Sequence, residues 1–295
     1  MTAAPLDEAW LRSYPLPVPD AAGDKEDKGK LLIIGGSAAV PGALLLCTES
    51  AMRVGAGKVK MATIDAAAVA LGLLFPEAAV LSLPADSEGE IATGAVPKLI
   101  GSIQRADAVL IGPAMASGES ATAMTSAALA HAPDGSVIVL DAGAINCCAQ
   151  ITEEQRSAGH SLIITPHCGE MAALLDMEKA EVQSGLEQTA ILAARRFGAF
   201  VVLKSRSTVI ATPFGEALTY ASECPGLGTA GSGDVLAGII GGLCARGLAP
   251  LSAAAWGVWL HGESGRLAAR EIAGGGFLAR ELPPRLPVLL ESMTL

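Results

Sequence analysis

Short apolar runs alternate with longer, Ala-rich stretches along most of the chain. The runs Leu31–Ile34, Val59–Thr63, Ala79–Leu83, Ala108–Ile111, Val137–Leu140, Leu162–Thr165 and Phe200–Leu203 lack polar alternation, the pattern of strands covered on both faces. Two further runs, Thr208–Ala211 and Ala217–Tyr220, flank Pro213, Phe214 and Gly215 and predict a hairpin. Helical stretches lie between the strands: Ala43–Val54, Val96–Arg105, Glu119–His131, Glu170–Leu175 and Ala180–Phe197. The last third, Val235–Arg246, Leu251–Glu271 and Arg280–Glu291, reads as almost entirely helical. Such a βαβ series predicts an α/β fold of three layers, α/β/α, around a central, mostly parallel sheet. Residues 1–27, with Pro5, Pro15, Pro17 and Pro19, read as an extended N-terminal arm, and 28–295 as a single domain without internal repeat.

Composition narrows the function classes. Of 295 residues, 51% are hydrophobic and 17% charged, enough apolar material for a large core and against global disorder. Aromatics are only 3% against 34 glycines, which predicts helices packed closely on the sheet. A net charge of -10 argues against nucleic-acid binding, and no Lys/Arg cluster offers itself to an anionic membrane. The mean hydropathy of +0.46 is high. Even so, the longest uncharged stretch, Leu31–Thr48, is broken by Gly35, Gly36, Ser37 and Pro41, which predicts strand, turn and helix rather than a membrane span. The first residues carry Asp7 and Glu8 and no apolar segment, unlike a signal peptide. Cys47, Cys147, Cys148, Cys168, Cys224 and Cys244 form no CxxC pair, so a reduced, cytoplasmic protein is expected.

In open α/β sheets ligands bind beyond the carboxyl ends of the strands. There the sequence places Gly35-Gly36-Ser37, Gly112-Pro113-Ala114, Asp141-Ala142-Gly143, Pro166-His167-Cys168-Gly169-Glu170 and Lys204-Ser205-Arg206-Ser207-Thr208. Each is ordinary turn chemistry by itself; five on one edge predict a cleft. The most informative stretch is Gly226–Asp234, GLGTAGSGD, which opens the helix predicted at Val235–Arg246. It matches GxGxxG formally, but Ala221–Pro225 separates it from the preceding strand and no acidic residue follows about 20 positions on, against a dinucleotide fingerprint. No Lys-Ser/Thr follows the glycines, so it is not a Walker A loop. A Gly-rich turn at a helix N-terminus does make an anion site. Asp234 there is either an N-cap or a base, since a carboxylate beside a phosphate is repelled unless it takes a proton from an attacking hydroxyl.

These residues resemble the ribokinase-like superfamily and, within it, the ADP-dependent NAD(P)H-hydrate dehydratases. The matching pieces run from about Lys25 to Ala269: KEDKGKLLIIGGSAAVPGA (Lys25–Ala43), RVGAGKVKMAT (Arg53–Thr63), VLIGPA (Val109–Ala114), VLDAGAIN (Val139–Asn146), ITPHCGEMAALL (Ile164–Leu175), VVLKSRSTVIATP (Val201–Pro213), GTAGSGDVLAGIIGGL (Gly228–Leu243) and WGVWLHGESGRLAA (Trp256–Ala269). GSGDVLAG alone indicates only the superfamily; the combination is specific to the dehydratases. The resemblance implies a ribokinase-like fold and dehydration of hydrated NADH or NADPH (NADHX, NADPHX). ADP or ATP phosphorylates the ring hydroxyl, and phosphate then leaves. It implies Asp234 as the base and Gly231, Ser232 and Gly233 as the anion hole. Lys204, Ser205, Arg206, Ser207 and Thr208 would contact the nucleotide together with Gly233. Ala43, Gly112, His167 and Asp234 would border the hydrated dinucleotide. Glu170, in an HxGE pattern, would act through water on Mg²⁺. A homotetramer or larger homo-oligomer is implied as well.

Other readings stand beside these. Glu170 also suits a first-turn carboxylate, His167 a surface or capping residue, and Asp141 a helix cap. His261 reads as a packing residue of the C-terminal helix, and Trp256 and Trp259 as core or subunit contacts. The chain departs from the family where GPGLG becomes Gly112-Pro-Ala-Met-Ala116, DADAL becomes Asp141-Ala-Gly-Ala-Ile145, KG becomes Lys204-Ser205 and HPGE becomes His167-Cys-Gly-Glu170. A side chain at a former glycine narrows the backbone's approach to a ligand. The alternatives are a ribokinase-like small-molecule kinase and a non-catalytic nucleotide-binding relative.

Overall fold

The structure, a computed structural model, describes residues 3–17, 28–156 and 159–294. Ten strands form one sheet: β1 (Ala4–Pro5), β2 (Lys30–Ile34), β3 (Lys58–Ile64), β4 (Ala79–Leu83), β5 (Ala108–Ile111), β6 (Val137–Leu140), β7 (Ser161–Ile164), β8 (Phe200–Leu203), β9 (Ser207–Ala211) and β10 (Ala217–Ala221). Their spatial order is β1-β10-β9-β8-β7-β6-β5-β2-β3-β4. From β4 to β8 every pairing is parallel, and β9 is antiparallel to both of its neighbours. β5 through β8 are almost wholly buried, which accounts for their uninterrupted apolar sequences. β4 is the exception among the predicted buried strands: at the sheet's edge it is largely exposed or half-buried.

After β2 the chain builds β3 and β4 on one side, then returns to add β5 on the other side of β2. That reversal is a switch point of the kind at which open α/β sheets take ligands, at the carboxyl ends of β2 and β5. Backbone groups tie the two strand ends together: Gly36 N–H donates to the Pro113 carbonyl at 2.8 Å, and Gly112 N–H to that of Ile34 at 3.1 Å. Gly112 has φ +114°, and a Cβ there would lie 1.8 Å from the Asp141 carbonyl oxygen, so only glycine fits.

Several element boundaries differ from the sequence reading. The N-terminal stretch is not extended throughout. Ala4–Pro5 pairs in parallel with β10, and Glu8–Ser13 is helical, capped by Asp7, whose Oδ1 accepts from Trp10 N–H at 2.9 Å. Leu6 and Leu11 are buried. Pro5 is tolerated because β1 is an edge strand; residues 1–2 and 18–27 of the expected arm lie outside the described residues. An unpredicted helix, Asp65–Leu74, supplies the crossover that parallel β3 and β4 require. The stretch read as one helix over Ala180–Phe197 is two, Lys179–Ser184 and Leu186–Phe197, divided at Gly185. Pro283 and Pro284 break Arg280–Glu291 into two short turns followed by a helix over Leu286–Thr294.

The helix that carries the Gly-rich motif spans Ser232–Ala245, three residues earlier than predicted, and is buried along most of its length. It packs over β2, β5 and β6 and against the helix Ala43–Arg53. Contact is close because of Gly238: a Cβ there would lie 2.4 Å from the Cys47 carbonyl oxygen and 2.6 Å from its Cα. Gly238→Ala therefore forces two backbones apart. Overpacking costs about 1–3 kcal/mol, more than the ~1 kcal/mol Ala gains over Gly as a helix former. The expected outcome is a lower urea midpoint with an unchanged m-value.

Candidate active site

The five turns singled out in the sequence follow β2, β5, β6, β7 and β8, which are contiguous and parallel in the sheet. Their carboxyl ends therefore form one row: Gly35–Gly36, Gly112, Asp141, Thr165–His167 and Lys204. Across this row stands the N-terminus of Ser232–Ala245. Two cavities of about 360 and 520 Å³ lie elsewhere, and Asp234, Lys204 and Asp141 line neither.

The Gly-rich segment is clamped before it reaches the helix. Tyr220 Oη donates to Glu263 Oε1 at 2.9 Å, and Arg266 donates to the carbonyls of Ser222 and Ala221 at 3.0 Å each. The Phe277 ring packs on Gly226 and Leu227 on Gly265 so closely that a Cβ at either glycine would overlap them. Gly231, at φ +86°, is the N-cap residue and bears no capping side chain. Asp234 is thus not the cap that sequence allowed. It lies in the first turn, and its carboxylate accepts no hydrogen bond from its own helix. Burial, above all, and the neighbouring charge of Asp141 push its pKa up to about 7, against the pull of Lys204.

Asp141 is not a side-chain cap either. Buried, it accepts from Thr165 Oγ1 at 2.5 Å and from Lys204 Nζ at 3.0 Å. This pair brings the ammonium over the motif helix, where a Cβ at Gly233 would lie 3.4 Å from Nζ. Burial opposes the charge on Lys204, but Asp141, Glu170 and Asp234 together outweigh it and hold its pKa above the usual value. The site therefore sets a cation and a proton-holding carboxyl at one helix N-terminus.

The other expected residues sit around this centre. Lys204 N–H donates to the Pro166 carbonyl at 2.7 Å, fixing the start of the β8–β9 turn. Ser205 and Arg206 form that turn, with Arg206 exposed, while Ser207 and Thr208 already belong to β9. His167 Nδ1 accepts from the N–H groups of Gly169 and Glu170 at 2.9 and 3.0 Å, and Glu170 Oε2 accepts from His167 N–H at 2.7 Å. These two residues form a reciprocal cap on the helix Cys168–Leu175. Ala43 is buried in the first turn of its helix, and the same helix carries Leu46 against Gly231. Ser232 N–H is spent on the Thr229 carbonyl at 3.3 Å, so that residue's remaining donor is its hydroxyl. Trp256 and Trp259 are buried core residues, edge to face at 6.1 Å.

The departures from the family pattern meet in space. A Cβ at Gly143 would lie 2.4 Å from the Met115 carbonyl oxygen and 2.6 Å from that of Ala116. The backbone of the altered GPAMA loop thus fills the volume a second carboxylate would need. Ala114 adopts φ 55° and Ala142 φ 44°, unfavourable for residues with a Cβ.

The sequence profile of the NAD(P)H-hydrate dehydratase family matches residues 31–287. An ADP-dependent (S)-NAD(P)H-hydrate dehydratase of Xanthomonas campestris is 42% identical over 97% of this chain and 95% of its own length. A bifunctional NAD(P)H-hydrate repair enzyme of Moorella thermoacetica is 35% identical over 98% of this chain, which spans 54% of that longer protein. Among solved structures, an ADP/ATP-dependent NAD(P)H-hydrate dehydratase of Bacillus subtilis, co-crystallised with ATP/Mg²⁺, superimposes with a TM-score of 0.85 at 29% identity, covering 99% of both chains. With its ribokinase-like architecture and the GSGD helix placed over that sheet edge, the chain belongs to the NAD(P)H-hydrate dehydratase family.

Proposed function

We infer that this protein dehydrates NADHX and NADPHX at the expense of ADP or ATP. The observation that carries the reading is Asp234: a carboxyl raised to about 7, free of hydrogen bonds to its helix, and set beside the Lys204 ammonium at a helix N-terminus. Helix dipole and ammonium favour a phosphoryl group there, and a base with pKa near working pH can take the proton of an attacking alcohol. The ring hydroxyl attacks the terminal phosphorus of ADP, AMP departs, and Asp234 receives the hydroxyl proton. The hydroxyl carbon adjoins the ring nitrogen, whose lone pair expels phosphate. Loss of a proton from the neighbouring ring carbon then restores the double bond. Gly231, Ser232 and Gly233 would cradle the phosphoryl oxygens, Lys204 to Thr208 the nucleotide, and Ala43, Gly112 and His167 the dinucleotide.

Mg²⁺ fits this donor set only with the nucleotide's help. Among the described residues no three His, Cys, Asp or Glu side chains gather to hold a metal. Asp141 is engaged by Lys204 and Thr165, and Glu170 gives one oxygen to His167 N–H. Mg²⁺ keeps several waters and needs one or two carboxylates beside phosphates; Glu170 is the residue to hold it through water, and the ion would neutralise phosphate charge. No helix among the described residues is long and apolar enough to cross a membrane.

Association of copies of the chain is supported by the helix Asp65–Leu74, where Val69, Leu73 and Leu74 are 74%, 79% and 68% exposed beside edge strand β4. Contiguous apolar exposure of this kind marks interaction surfaces. Light scattering is expected to give a homotetramer or larger, and Leu73→Glu a smaller species.

The activity is tested by adding ADP, Mg²⁺ and NADHX and following the return of NADH absorbance. No recovery with ADP or ATP would refute it, and a stable phosphorylated product would mark a kinase instead. Asp234→Asn is expected to lower turnover at least ~10²-fold, as loss of a general base does, with ADP binding retained and thermal stability no lower. The base works only when deprotonated, so kcat/KM rises with pH through about 7 and then levels off. A profile flat from pH 5 to 9 would exclude Asp234 as that base.

A further inference from the structure

His261 lies midway along the helix Pro250–Glu271, which packs against the motif helix and reaches β8, and is mostly enclosed. Its Nε2 stands 2.9 Å from Ser232 Oγ. Ser232 itself is buried, at 5% exposure, and its backbone N–H is already taken by Thr229. Whatever Ser232 offers a ligand therefore depends on where its hydroxyl proton points, and the contacting imidazole decides that. Burial, above all, and the Lys204 charge push the His261 pKa down to about 4, although the Ser232 backbone hydrogen bond opposes them. The ring is neutral at working pH, with one N–H to place. A proton on Nε2 donates to Ser232 Oγ and frees the hydroxyl to donate in turn. With Nε2 bare, the hydroxyl would spend its proton on the ring and present lone pairs to a phosphate, which repel it.

We propose that His261 is a positioning residue: its Nε2–H holds Ser232 Oγ so that the hydroxyl donates to an oxygen of the transferred phosphoryl group. This rests on the dehydratase reading and extends it to a side chain outside the GSGD motif. The relay involves no net proton transfer. It orients one donor toward charge that grows in the transition state, where such donors act most strongly.

The test is a double-mutant cycle with a rescue arm. His261→Leu keeps bulk and removes the donor; His261→Gln returns an amide N–H near the Nε2 position. Loss of a direct oxyanion donor lowers kcat by about 10²–10³-fold, and a residue that only orients such a donor costs less. His261→Leu is expected to lose roughly tenfold in kcat with the NADHX KM held, and His261→Gln to recover most of it. In the Ser232→Ala background His261→Leu should cost nothing further, because the hydroxyl it orients is gone. Additive losses in the double variant, or equal losses for Leu and Gln in step with a lower Tm, would make His261 a packing residue and overturn the proposal. ADP titration of the same four proteins keeps the two readings separable. If the wild-type protein binds ADP but never regenerates NADH, the dehydratase reading fails. The His261 proposal then stands or falls on whether Ser232→Ala and His261→Leu weaken ADP binding non-additively.

Discussion

The site is organised by one buried ion pair. Asp141 follows β6, Lys204 follows β8, and the 3.0 Å contact between them spans β7, after which the Thr165 hydroxyl completes the carboxylate's partners. A buried carboxylate without partners is prohibitively costly, and removing one member of such a pair costs about 3–5 kcal/mol. Three strand ends are thereby locked together. The lock leaves the ammonium over Gly233, and it also leaves a negative charge near Asp234. Lys204 thus positions positive charge for a phosphoryl group, while Asp141, against the pull of Lys204, helps keep the neighbouring acid from ionising too readily. Burial is the larger cause of that second effect, and Asp141 adds to it.

Small residues make this arrangement possible. Gly238 lets the motif helix lie on the Cys47 backbone, and Gly112 lets the β5 turn touch the Asp141 carbonyl. A chain poor in aromatics and rich in glycine brings backbones together, so that dipoles and main-chain donors reach the site edge with little side-chain padding. The altered loops at 112–116 and 141–143 follow the same logic in reverse. The backbone of Met115 and Ala116, beside the left-handed Ala114, lies where a Cβ at residue 143 would, and Gly143 leaves it that room. Two loops far apart along the chain are one packing contact in space.

Strands buried on both faces announce themselves as unbroken apolar runs, and five turns rich in Gly, Asp, His and Lys had to share an edge once the strands were parallel. The GSGD helix start was legible for the same local reason, since glycines before a helix expose N–H groups whatever surrounds them. Local signals also explain the misreadings: prolines masked the short helix capped by Asp7, and an Ala-rich crossover, Asp65–Leu74, passed without a boundary signal.

What the chain could not disclose by itself is where side chains point. Asp141, which sequence also lets read as a helix cap, turns its side chain to Lys204, 63 residues away; His261 reads as a packing residue, and only the structure shows that it meets Ser232, 29 residues away. Asp234 reads equally as cap or base until the helix is seen to begin at Ser232 with Gly231 as its cap. Periodicity and turn chemistry are set by neighbours within a few residues, so sequence determined the α/β layering and the edge that carries the chemistry. Ionisation and hydrogen-bond choice are set by groups distant in the chain and by exclusion of water, and those only tertiary packing decided.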